Sequence, residues 1–241
     1  MGKDENPYSR AVRKAVKAFW GTRDAQARLQ EERGITDQGT RSAVTGGRQM
    51  DGFIELLRNL AVENGVPADY VHTRSTTLPG YYRPTKDWDF LIITPSKELI
   101  ATIEVKSQVG SFGNNFNNRT EEALGNSEDF WTAFREGALQ KHFRPWLGYI
   151  MIVEKSEVST RPVDVSEPHY KVFSEFSKSS YLNRYDILCW KLIAERKYDS
   201  TAVLWTEKKG PTFGDVSKRT SMFRFLNLYT QQLKAHEDLF K

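Results

Sequence analysis

The chain has 241 residues, with 39% apolar and 27% charged side chains, which marks a globular protein and excludes a disordered one. Thirty-five Lys and Arg against 31 Asp and Glu leave a net charge of +4, a modest tilt toward a polyanionic partner. A single cysteine, Cys189, excludes an intramolecular disulfide and a zinc site of several thiolates, and four scattered histidines argue against a His-rich metal site. The N-terminus is polar, and no apolar run approaches a membrane span, so the expected setting is the cytoplasm.

In chain order, Tyr8 to Arg33 reads as a basic amphipathic helix with Val12, Val16, Phe19 and Trp20 near helical spacing, ended by Gly34. Thr36 to Gln49 reads as a loop. A second helix is predicted from Met50 to Asn64, with Phe53, Leu56, Leu57 and Leu60 on one face. A strand is expected within residues 70–78, and Leu78-Pro79-Gly80 turns the chain into Tyr81-Tyr82-Arg83-Pro84. Two apolar runs follow, Trp88 to Ile93 and Leu99 to Lys106, separated by Pro95-Ser96-Lys97-Glu98, as in a β-hairpin. Ser107 to Arg119 is rich in Asn and Gly and reads as a loop, and a helix is predicted from Thr120 to His142. A strand at 148–153, a loop at 155–169, a helix at 179–197, a strand at 200–206 and a helix at 219–238 complete the pattern. Cys189 and the periodic aromatics Trp131, Phe134, Trp190 and Trp205 are expected in the core. Alternating strands and helices predict an α/β fold with a mixed central sheet flanked by helices. The expected organisation is a single domain over 1–241, with an N-terminal helical part at about 1–65, a core at about 70–206 and a C-terminal helix.

The hairpin carries the chemistry. Pairing Thr94 with Leu99 across its turn sets Asp89 opposite Glu104, and strand alternation puts Lys106 on the face of Glu104. Two carboxylates and an ammonium at one end of an otherwise apolar hairpin call for a cation. A hard divalent metal held by Asp89, Glu104 and the backbone carbonyl of Val105 fits. Such a site hydrolyses phosphodiesters: the metal polarises phosphate and activates water, and Lys106 stabilises developing charge. Acid-x-Lys also occurs at Glu195/Lys197 and Glu207/Lys209, but only Glu104/Lys106 lies within a strand pattern with an acid across a hairpin. Asp87 is a rival for Asp89, with the opposite strand parity. Asp51 and Glu55, one helical turn apart, are candidate additional acids. In the Asn-rich segment, Asn114, Asn115, Asn117, Asn118 and Arg119 are base-reading types. Gln108 and Lys86 are further candidates for contact with DNA.

Asp89, fourteen intervening residues, then Glu104-Val105-Lys106 resembles the PD-(D/E)xK nuclease motif, with Trp88 where that motif has Pro. Longer blocks resemble the XhoI-type restriction endonucleases: Met50–Phe53, Leu78–Lys86, Glu104–Gly110, Ser111–Arg119 and Trp131–Gly137. The resemblance implies a bacterial type II restriction enzyme with a restriction-endonuclease-like core. It also implies a homodimer, Mg²⁺ dependence and cleavage of duplex DNA at the palindrome CTCGAG, with a companion methyltransferase protecting the host. Its catalytic roles fall on Asp89, Glu104 and Lys106. The alternatives are a repair or structure-specific nuclease of the same superfamily, and a DNA-binding protein in which Lys106 only bridges the acids.

Overall fold

The computed structural model of the chain describes residues 6–32, 48–139, 142–210 and 212–241. The first helix, α1 (Ser9–Glu32), buries Val12, Ala15, Val16, Phe19 and Trp20, as their spacing predicts. Gly34 and the expected loop lie outside the described residues as far as residue 47. Arg48–Met50 form one 3-10 turn that leads into α2 (Asp51–Glu63), whose apolar face is Phe53, Leu56, Leu57 and Leu60. Helices α1 and α2 approach closely because Gly52 has no side chain: a Cβ there would lie 2.9 Å from Ala18 Cβ and 3.0 Å from the Ala15 carbonyl oxygen.

The segment expected as one strand at 70–78 is two short ones, β1 (Val71–His72) and β2 (Thr77–Pro79), parted by Ser75 at φ 54°. Strand β2 pairs with β3 (Thr85–Asp87) in a separate antiparallel hairpin. The six-stranded sheet runs β1, β4 (Phe90–Ile93), β5 (Leu99–Gln108), β6 (Trp146–Glu154), β7 (Ser200–Thr206), β8 (Phe213–Asp215). Strands β5, β6 and β7 are parallel and the outer pairings antiparallel. Parallel central strands covered on both faces explain their near-continuous apolar sequences. The mixed sheet flanked by helices is the expected class, compatible with a restriction-endonuclease-like core.

One face of the sheet, with Phe90, Ile92, Ile103 and Val105, packs against α1, α2 and α6 (Met222–Ala235). The other, with Leu91, Tyr149, Met151 and Val203, packs against α3 (Phe112–Arg135) and α5 (Tyr181–Ala194). Cys189 is fully buried on α5. Trp131 is buried, whereas Trp190 is 38% exposed with the Arg219 guanidinium over its ring, so it is not a core residue. Within the expected loop at 155–169, Ser156 caps a single turn, α4 (Glu157–Thr160).

Helix α3 departs from expectation at both ends. It begins at Phe112 rather than Thr120, so the Asn-rich segment is helix, not loop. Gly110 and Ser111, at φ 65° and 46°, reverse the chain directly out of β5. Phe112 then stacks on Tyr181, and Phe116, one turn on, meets Tyr185 edge-on at 5.2 Å. Tertiary packing of that aromatic pair outweighs the weak helix propensity of Asn. The helix stops at Arg135 rather than His142 because Gly137 adopts φ 87°. The Gly137 N–H bonds the Phe134 carbonyl and the Ala138 N–H bonds the Ala133 carbonyl, a Schellman closure.

The α1–α2 contact gives a direct test. Gly52→Val is expected to lower unfolding stability by about 1–3 kcal/mol through overpacking against Ala15 and Ala18, measured by urea denaturation.

Candidate active site

Strand β4 pairs with β5 through Phe90–Ile103, Leu91–Thr102 and Ile92–Ala101, the register expected at the Asp89 end. At the turn, Ile93 rather than Thr94 faces Leu99, because an irregularity between Ile92 and Ile93 shifts the register by one residue. Beyond Phe90 the ladder ends, and Asp89 sits in a bend. Its Oδ2 accepts the Val105 N–H at 2.7 Å. A strand residue directs its N–H and C=O to the same edge. The Val105 carbonyl therefore faces the Asp89 side, where no β4 residue pairs with it.

Glu104 and Lys106 project from the other face of β5, toward α3. Glu104 is buried, at 1% exposure, and its Oε1 is ion-paired with Lys106. Lys106 Nζ also lies 3.7 Å from Asp89 Oδ2. The second Glu104 oxygen is met by Lys86 Nζ at 3.0 Å, in a contact that lacks hydrogen-bond geometry. Lys86 reaches Glu104 from β3, with its ammonium 4.5 Å from the centre of the Trp88 ring. Trp88 is itself fixed: its N–H donates to the Thr76 carbonyl, the Thr76 hydroxyl donates to its carbonyl, and its ring packs edge-on against Phe130. Two carboxylates and two ammoniums thus form one charge-balanced group. Lys86 enters as a direct partner of Glu104, a role the sequence reading did not assign.

The electrostatics follow from that packing. Burial, then the neighbouring Glu104, raises the Asp89 carboxyl above the ordinary aspartate range, against the opposing pull of Lys106, the Val105 N–H and Lys86. Burial alone would lower the Lys106 ammonium, but Glu104 and Asp89 outweigh it and hold it above the usual lysine value. Lys106 is thus held as a cation. A further cation beside Asp89 would oppose the rise that burial and Glu104 impose on it.

The other candidates fall into separate places. The Asp87 carboxylate is exposed on β3 and accepts a hydrogen bond from the Thr77 hydroxyl, so it stands outside the group, although its carbonyl accepts Lys86 Nζ at 3.1 Å. Asp51 and Glu55 are on α2, which packs on the opposite sheet face from Glu104, and Glu55 pairs with Lys14 at 3.1 Å. Gln108 is buried, its amide donating to the Gly110 carbonyl at 2.6 Å. Asn114, Asn117 and Asn118 are exposed, at helical spacing that aligns them on one side of α3. Asn115 is turned back onto the Ser111 carbonyl. Arg119 faces inward: it pairs with Glu122, its Nε is buried without a hydrogen-bond partner among the described residues, and its charge acts on Lys106.

Among the described residues, no three His, Cys, Asp or Glu side chains converge as a metal site. The donors at hand, the Asp89 and Glu104 carboxylates and the Val105 carbonyl, are all hard oxygens. That set fits an alkaline-earth-type cation that keeps part of its shell as water or phosphate, and not a zinc-type cage.

The sequence comparisons identify the family. The family model described as Restriction endonuclease XhoI matches residues 29–218, a span that includes both strands of the hairpin. The type II restriction enzyme BstVI of Geobacillus stearothermophilus is 50% identical over 180 residues, covering 72% of this chain and 80% of that protein. XhoI of Xanthomonas vasicola is 47% identical over 197 residues, covering 80% of this chain and 78% of that protein. AbrI of Azospirillum brasilense is 46% identical over 167 residues, covering 68% and 74%. No solved structure matches the chain. With a family model running through the whole charged hairpin and three restriction enzymes at about half identity, the chain belongs to the XhoI restriction endonuclease family and is a type II, site-specific endonuclease acting on double-stranded DNA.

Proposed function

We propose that Asp89, Glu104 and Lys106 are the cleavage centre, that Mg²⁺ is the working metal, and that the target is the palindrome CTCGAG. The observation that carries this reading is the convergence of a fully buried carboxylate, a second carboxylate and two ammoniums at the open end of the hairpin. Asp89, Glu104 and the Val105 carbonyl would hold the metal, which when bound lowers the pKa of its water and neutralises phosphate charge. Lys106 is placed to hold the attacking oxygen as an anion and to stabilise charge building on phosphorus. Lys86 holds the second oxygen of Glu104 by charge alone. Its ammonium also donates to the Asp87 carbonyl at 3.1 Å, which keeps that positive charge beside Glu104 and the phosphate. Asp51 and Glu55 have no part in the group.

The reading extends to recognition. The exposed stripe of Asn114, Asn117 and Asn118 on the first turns of α3 has the groups that bond adenine edges, on an element that fits a major groove. Asn115 and Gln108, held by backbone carbonyls, set the turn from β5 into that helix. Arg119, within electrostatic reach of Lys106, serves the phosphate beside the cut. A palindrome has two symmetry-related half-sites and each centre cuts one strand, so the working species is a twofold homodimer. A methyltransferase of the same specificity protects the host.

The deciding experiment is digestion of a plasmid with one CTCGAG site, in Mg²⁺ and in EDTA. A single linear product is expected only in Mg²⁺ and only with the site intact. Cutting elsewhere would reject the target but keep the chemistry.

Asp89→Asn keeps an oxygen acceptor for the Val105 N–H, so its unfolding midpoint is expected to stay near that of the parent, while cleavage falls by about 10²-fold or more. Lys106→Ala should lose cleavage to a similar extent and still bind a CTCGAG duplex in a gel-shift assay. Retained cutting by either variant would remove the residue from the centre.

Asn117→Ala is expected to narrow the affinity gap between target and scrambled duplex by about 1–3 kcal/mol, read by titration. Equal weakening on both sequences would assign it a backbone contact instead.

A further inference from the structure

The β2–β3 hairpin ends in a loop, Gly80 to Pro84, that is fixed to α3 with unusual thoroughness. Asp129 of α3, at 4% exposure, accepts the N–H groups of Tyr81 and Tyr82, each at 2.7 Å, and the Arg83 Nε at 2.7 Å. The Arg83 guanidinium also donates to Asn126 at 2.6 Å, and the Gly80 N–H closes the loop on the Pro84 carbonyl. No side chain fits at Gly80, where a Cβ would lie 2.4 Å from Asp129 Oδ2. A buried carboxylate is thus committed to holding a short loop in one shape. Burial pushes Asp129 up, but the Arg83 and backbone donors outweigh it and keep it below the ordinary aspartate range.

This rigid mount presents two aromatic rings to solvent. Tyr81 is 55% and Tyr82 70% exposed, and the rings meet edge-on at 5.4 Å. Neither packs into the two apolar cores. The same hairpin delivers Lys86 to Glu104. Tyr82 is four residues from Lys86, so its backbone lies within about 14 Å of it, or roughly four base-pair steps of duplex.

We propose that the Tyr81–Tyr82 tip is a DNA-contacting finger that packs against the duplex at the edge of the target site, with Asp129 as its positioning residue. The proposal rests on the reading of Asp89, Glu104 and Lys106 as the cleavage centre, since that centre sets where DNA must lie. Duplex DNA is the partner because the tip is tied to the element that touches that centre. An aromatic pair can lean on sugar and base edges or wedge at a base step, while its hydroxyls reach phosphate oxygens. Arg83 is engaged by Asp129 and Asn126 and is part of the mount, not of the contact.

The test uses the full chain carrying Lys106→Ala and measures anisotropy on a CTCGAG duplex and a scrambled one. Tyr81→Ala/Tyr82→Ala is expected to weaken target binding about tenfold or more, with the scrambled duplex little changed. Tyr170→Ala, at a still more exposed tyrosine elsewhere, should leave both affinities alone. Target affinity left unchanged by the double substitution would overturn the finger. Photo-crosslinking requires no tyrosine substitution: 5-iodouracil placed at the edge of the site should form an adduct on Tyr81 or Tyr82. Adducts on α3 but none on the hairpin would overturn the proposal. Cleavage retained by Lys106→Ala alone would instead overturn the assigned centre, and leaves the crosslinking result to decide the finger.

Discussion

Glu104 is the constraint on which the site depends. A carboxylate at 1% exposure in the middle of a mixed sheet is tolerated as an anion only when cations reach it. One comes from its own strand, Lys106, which alternation places two residues along on the same face. The other, Lys86, must be brought from outside the sheet, and the separate β2–β3 hairpin does this. The Thr76–Trp88 hydrogen bonds and the Trp88–Phe130 packing keep that hairpin in place. Asp89 completes the group because β4 stops pairing at Phe90, freeing the chain to turn its carboxylate onto the Val105 N–H.

The path of the chain couples this group to what lies around it. Strand β5 carries Glu104 and Lys106 and runs, through a two-residue left-handed turn at Gly110 and Ser111, straight into α3. The exposed Asn114, Asn117 and Asn118 are therefore rigidly linked to the charged strand by only a few residues. Further along the same helix, Asp129 and Asn126 hold the tip of the hairpin that supplies Lys86. One helix thus fixes both neighbours of the site.

The hairpin was legible in the sequence because its information is local. Alternation and apolar bounds locate β4 and β5, and the register near Asp89 holds even though the turn side slips by one residue at Ile93. An irregularity confined to the turn does not propagate to the far end. The start of α3 was not legible: four asparagines within five residues favour turns in isolation, and only contact with Tyr181 and Tyr185, some 70 residues on, makes Phe112 and Phe116 a helical pair. Lys86 was visible only as a cation near a site, because its partner is set by how two hairpins stand against each other. Asp129 drew no reading from the sequence for the same reason; its donors lie nearly 50 residues earlier.

Charge balance ties these parts to the chemistry. As it stands, the group of Asp89, Glu104, Lys86 and Lys106 is neutral. A divalent cation held by the two carboxylates would add two positive charges. In the proposed centre a phosphodiester and an attacking hydroxide would supply two negative ones, so the assembly would again be neutral in a place where unbalanced charge is costly. Either lysine alone would leave the carboxylates under-compensated before the metal binds. The second lysine therefore has a reason to exist before DNA arrives: it meets Glu104 by charge, without hydrogen-bond geometry, while the Asp87 carbonyl at 3.1 Å and the Trp88 ring keep its ammonium in place.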